Sequence, residues 1–361
     1  MGESDVTRDG IRGERPGRDA RVGQGLRDGG TRRDRKGRKG RRGRKGEQLM
    51  VPQAEFTSYY GRPVLNPPTW RPQDIAGYFF LGGLAGAGSV AAAGAELTGR
   101  PVMARALKVS SLVAITGSAA ALVHDLGRPE RFANMLRVFK PTSPMSVGSW
   151  LLAAYGPAAG AAAVLDLGGR LPRTGRAATA AAALLGPAVA SYTAVLAADT
   201  AVPGWHDGYR ELPFVFVGSA AAAAGGMALL TSPVAENAPA RNVALLGTAL
   251  ETAAVQAMKH RLGVVAETYR EGTAGRLMRA AEALSVAGAL GGALLGRRGR
   301  TAAALSGAAL LAASACTRFG VFHAGMRSAE DPKYTVLPQR ERIAARQARQ
   351  QAEQAHQTQE D

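Results

Sequence analysis

Between Leu122 and Trp150 the sequence LVHDLGRPERFANMLRVFKPTSPMSVGSW gathers His124, Asp125, Arg128, Glu130, Arg131, Arg137 and Lys140 into one short link. The stretches on either side are almost free of charge. If they lie in a bilayer, the link sits at its surface, where an ionised group stays hydrated and still reaches a lipid-soluble substrate or a docked partner. Imidazole passes protons in either direction near neutral pH. His124 and Asp125 therefore suit proton handling, while Arg128, Arg131 and Arg137 suit holding the link and a partner. The plainer reading is a basic loop that only orients the chain across a membrane.

Other ionisable residues fall within or beside apolar stretches: Glu96, Asp199, Glu251 and Glu282. Such groups are costly in lipid and are functional candidates by default. Glu251, the deepest, and Glu282 fit a proton relay, and with Asp199 they would also serve an ion-translocating protein. A quinone headgroup needs hydrogen-bond or proton partners at two oxygens near the membrane surface. Tyr78, His124, Asp125, Tyr192 and Asp199 could supply them, all in one half of the bilayer or at its rim. Haem would ask for paired histidines from facing helices, but the four histidines in this part of the chain stand at the ends of apolar stretches. Cys316 is the only cysteine, which excludes a cluster or zinc site built from the chain's own cysteines and an intrachain disulfide. No metal site is expected.

The elements that must position these residues read as membrane helices. Uncharged or nearly uncharged runs cover 75–95, 106–123, about 145–165, 177–198, about 212–234, 242–258, 277–295 and 301–317. At 1.5 Å per residue, about twenty residues cross a hydrocarbon core of about 30 Å. Soluble helices keep a polar face, and these runs show none. The expected fold is thus an all-α integral membrane protein with eight transmembrane helices. The small-residue spacings Gly82–Gly86 and Gly218–Ala222–Gly226 suit close approach of helix backbones in lipid. Lys108, near the start of the second run, is expected to snorkel to the interface.

An even number of spans puts both termini on one side, and the long links fall on that side too. So do nearly all Trp, Tyr and Phe residues, which suggests a surface that binds a flat ring system or a protein. Lys and Arg divide nine and nine between the links of the two sides, so only the tails vote on orientation. Residues 1–47 carry 16 Lys+Arg against 8 Asp+Glu, part of a net charge of +17. This places the termini in the cytoplasm by the positive-inside rule. The chain then divides into a disordered basic tail over 1–54, a membrane domain over 55–326 and a polar tail over 327–361. The basic run lacks interleaved aromatics and any nucleic-acid module, so lipid headgroups rather than nucleic acid are its expected counter-ions.

Three segments carry a resemblance: DLGRPERFANMLRVFKPTSPMSVGSW from Asp125, AVPGWHDGYRELPFVFVGSAAAAAGG from Ala201, and RFGVFHAGMRSAEDPKYTVLPQR from Arg318. With the eight runs, they make the chain similar to the NrfD/PsrC family, the membrane subunits of polysulfide reductase, formate-linked nitrite reductase and related molybdoenzymes. The resemblance implies two four-helix bundles, no haem or iron–sulfur cluster in this chain, and a menaquinone site near one surface. It also implies docking to a ferredoxin-like 4Fe–4S subunit that connects to a molybdopterin catalytic subunit. Tyr192 would stand for the tyrosine that some relatives place at the quinone. A purely structural anchor for such a complex is the remaining alternative.

Overall fold

The computed structural model describes residues 64–126, 129–169 and 171–360, together with two two-residue strands near the N-terminus. The chain separates into two units, Met1–Pro63 and Val64–Asp361. In the first, Val6–Thr7 (β1) pairs antiparallel with Gly10–Ile11 (β2). The rest of the basic tail, where disorder is expected, lies outside the described residues.

The second unit is helical: α1 (Pro72–Leu97), α2 (Pro101–Asp125), a 3-10 turn (Pro129–Leu136), α3 (Pro144–Gly168) and α4 (Pro172–Ala198). There follow α5 (Pro203–His206), α6 (Leu212–Thr231), α7 (Ala238–Arg261), α8 (Glu267–Arg270), α9 (Gly272–Leu294), α10 (Arg300–Glu330) and α11 (Lys333–Glu360). Each of α1 to α4 opens on a proline, whose fixed φ and missing N–H cost nothing at a first helical position. Gly169, at φ 59°, closes α3 in the left-handed conformation that a residue without Cβ adopts freely.

Helices α1 to α4 pack around one another as one four-helix bundle, and α6, α7, α9 and α10 as a second; α1 joins the two through α6 and α10. Glycines set the closest crossings. A Cβ on Gly86 would collide with the backbone of Gly186 in α4, and one on Gly307 with Gly226 in α6, so these helices touch main chain to main chain.

Seven helices, α1, α2, α3, α4, α6, α9 and α10, are long and apolar enough to cross a membrane. The expectation of eight differs at α7, whose Arg241, Glu251 and terminal Lys259–His260–Arg261 dilute its apolar character. Helix α10 runs on to Glu330 rather than ending near 317, so His323 lies inside a helix and not at its end.

Links on the termini side hold the 3-10 turn, α5 and α8; those on the other side are short. Each face is tied internally. On the termini face Tyr269 donates to the Gly204 carbonyl at 2.6 Å and Trp205 Nε1 to Val321 O at 2.8 Å. On the opposite face Asn237 Nδ2 donates to Gly296 O at 2.9 Å and Met103 N to Glu236 Oε2 at 2.8 Å. Many of the one-sided aromatics prove to be core. Trp205 is fully buried, stacks on Trp70 at 5.5 Å and meets Phe322 at 5.8 Å, while Phe79 meets Phe216 at 5.6 Å. Phe139, Trp150, Tyr209 and Phe214 remain exposed.

Candidate functional site

The first cluster forms where α1 starts, α2 ends and α4 ends. The link after α2 brings His124 back over the first turn of α1, and its Nδ1–H donates to Asp74 Oδ2 at 2.8 Å. Asp74 is largely covered, whereas the imidazole is 63% exposed at the surface. One turn deeper on the same face of α1 stands Tyr78, fully buried. Its backbone carbonyl accepts the Ser118 hydroxyl at 3.2 Å, and α1 packs along α4, which carries Tyr192 two turns before its C-cap Asp199. The Tyr192 hydroxyl donates to Pro144 O, and its ring lies where a side chain on Gly148 would be. The segment that begins at Asp125 ends in Gly148–Ser149–Trp150, and its Gly148 is small because a phenol crosses it. Beside this pair the Thr193 hydroxyl is buried without a partner among the described residues.

The structure thus brings together Tyr78, Tyr192 and Asp199, with His124 at the rim above. Asp125 points elsewhere: its Oδ1 accepts the backbone N–H of Arg71 at 3.1 Å and pins the end of α2 to the start of α1. The acid that serves His124 is Asp74. Sequence reasoning passed over it, although its place one helical turn before Tyr78 puts it on the same side of α1. Of the three arginines expected to meet a partner, Arg137 is exposed at the end of the 3-10 turn, Arg131 belongs to that turn, and Arg128 lies outside the described residues.

A second cluster sits inside the other bundle. Glu251 on α7 is 5% exposed; Thr317 donates to its Oε1 at 2.6 Å and Ser285 to its Oε2 at 3.3 Å. Arg318, completely buried on α10, interacts with it through space without a direct ion pair among the described residues. Arg318 donates Nη2 to Phe216 O at 2.7 Å and lies 3.8 Å from the centre of the Phe216 ring. Its Nε and Nη1 have no partner among the described residues. A cavity of about 20 Å³ separates Glu251 from Glu282 and Gln256, room for about one water. Glu282 lies on the exposed side of α9, where it feels Lys259. Arg318 was visible in the sequence only as the first letter of a motif.

Lys108 corrects an expectation. It does not snorkel: 4% of its side chain is exposed, and Nζ lies 2.7 Å from Glu96 and 3.1 Å from Asp166. The carboxylates of α1 and α3 draw it inward, since a cation with two partners is better held than one at a bare interface. Among the described residues no group of three or more His, Cys, Asp or Glu is placed to hold a metal ion.

Two four-helix bundles rich in membrane-length apolar helices define a multi-pass helical membrane protein. Residues 69–265, more than half of the chain, match the family described as Polysulphide reductase, NrfD, and the chain belongs to that family. Its members are membrane subunits of molybdoenzyme complexes. No curated protein matches the chain. The matched segment contains the first cluster and Glu251; Glu282 and Arg318 lie beyond it.

Proposed function

We propose that the chain is the quinone-reactive membrane subunit of an oxidoreductase complex, exchanging electrons between an iron–sulfur partner and menaquinone or menaquinol. The observation that carries this reading is the His124–Asp74 hydrogen bond above the buried Tyr78 and the half-buried Tyr192. Interconversion of quinone and quinol moves two electrons and two protons. The electrons belong to the partner; the protons belong to this site. A phenol donates to one ring oxygen from within the bundle, and the imidazole, oriented by Asp74, exchanges protons between the other oxygen and water. A 4Fe–4S ferredoxin-like subunit would dock on the termini face, with Arg137, Arg131 and Arg128 meeting its acidic surface, and a molybdopterin subunit would stand behind it. The basic tail argues for termini in the cytoplasm.

General acid–base groups of this kind contribute about 10²- to 10⁴-fold. His124→Ala and Asp74→Asn are each expected to lower inhibitor-sensitive quinone turnover of the purified complex by at least about 10²-fold, with subunit assembly unchanged. Unaltered turnover in the double variant would remove the pair from the mechanism.

A second reading, proton translocation, is favoured by one specific arrangement: the buried Glu251 shares a water-sized cavity with Glu282, and the buried Arg318 keeps Nε and Nη1 without a partner among the described residues. Glu251→Gln is expected to abolish proton movement in proteoliposomes while leaving quinone turnover measurable. Equal proton movement in variant and parent argues against the relay.

A further inference from the structure

A long apolar groove opens between the helices, away from the rim where His124 stands. It has a volume of about 980 Å³ and runs along the seam between the two bundles, on the half of the molecule opposite the termini. Helix α2 forms its floor from Pro101 to Val113, about 18 Å at the helical rise. Leu84, Val109, Met227 and Leu311 supply apolar walls from four helices.

Three of its lining residues are polar: Arg105, Ser110 and Thr231. The two hydroxyls are spent on their own helices, Ser110 on Leu107 O at 3.0 Å and Thr231 on Met227 O at 2.7 Å. The groove therefore offers no free donor along its length to a ring oxygen. Its single unspent polar group is a cation at the aqueous rim. Asp166 fixes Arg105 through Nε at 2.9 Å, which leaves both Nη groups without a partner among the described residues, on a side chain 59% exposed. At the same end of α6, Arg300 donates to the Leu229 carbonyl at 2.8 Å and adds a second cation. Over residues 96–108, 166–176, 236–241 and 297–300, nine described Lys and Arg face three Asp and Glu.

We propose that this groove binds an anionic glycerophospholipid, with acyl chains along α2 and the phosphate on Arg105. Bulk lipid tails are as apolar as the groove, so hydrocarbon contact confers little preference among lipids. Selectivity comes from charge at the mouth, where one basic residue near the surface is worth about a five-fold change in binding.

The test is native mass spectrometry of the full chain in detergent, titrated with phosphatidylglycerol and with phosphatidylcholine of identical acyl chains. Phosphatidylglycerol is expected to bind several-fold more tightly. Arg105→Gln, which leaves Asp166 its bond to Lys108, should lose about five-fold for phosphatidylglycerol and nothing for phosphatidylcholine. Ala106→Phe, which fills the groove, should weaken both, and thermal unfolding of each variant checks that it is folded. Equal binding of the two lipids, an undiminished preference in Arg105→Gln, or stoichiometric displacement of the lipid by a short-chain naphthoquinone would each overturn the proposal.

Discussion

The buried cation Lys108 has three helices depending on it, because it ties Glu96 of α1 and Asp166 of α3 to α2. Removing one member of a fully buried ion set costs about 3–5 kcal/mol. Here Asp166 keeps Arg105, Glu96 keeps Arg176, and both carboxylates retain about a quarter of their surface, so Lys108→Met is expected to cost less, about 2 kcal/mol. Arg105→Gln should cost under about 1 kcal/mol as an exposed pair. Unfolding of the two variants in detergent measures the contrast. At the other end of the bundle Gly148 is the sensitive position. An added methyl meets the Tyr192 ring, and overpacking of this kind costs about 1–3 kcal/mol. Gly148→Ala should therefore displace the phenol from Tyr78 and depress quinone turnover while the chain still assembles; unchanged kinetics would show that the placement of Tyr192 is immaterial.

At the level of elements, the start of α6 is fastened to the end of α7 by Glu211 and Arg261, whose guanidinium also reaches the Asp207 carbonyl. The hydrogen bond from Arg261 holds the Glu211 carboxyl below its ordinary 4.5 against the opposing effect of burial. A depressed acid contributes stability above its unfolded value and loses it as pH falls through its folded one. The stability difference between the parent and Glu211→Gln should therefore be full at neutral pH and close below pH 4.5; a difference independent of pH would mean the carboxylate charge is not what fastens α6. Helix positions themselves were legible in the sequence, because apolar runs of membrane length behind prolines leave little choice. Contacts between helices were not. His124 and Asp74 are 50 positions apart, and no local pattern links an imidazole after one helix to an acid before another. Asp125, adjacent to His124, was the natural choice from spacing alone, yet it serves the backbone of Arg71.

For the molecule as a whole, α7 decides the topology, since an even number of crossings puts every chemically rich link on one face. Its composition falls short partly because its central acid, which counts against it, faces inward. Glu251, Thr248 and Gly247 are buried against the bundle, whereas Leu246, Ala249, Leu250 and Ala253 are exposed on the opposite side. Such a helix presents hydrocarbon to lipid and keeps its charge among partners, which is how membrane proteins tolerate intramembrane acids. Its 24 residues span about 36 Å, longer than the core of about 30 Å. Mean hydropathy averages both faces and misses the distinction. We therefore expect topology reporters inserted at Glu236 and at Gly263 to lie on opposite sides of the membrane, with the Gly263 reporter on the side of a C-terminal fusion. Reporters on the same side would leave α7 lying within one leaflet. Glu251 would then be a surface acid, and the proton-relay reading would fail with it.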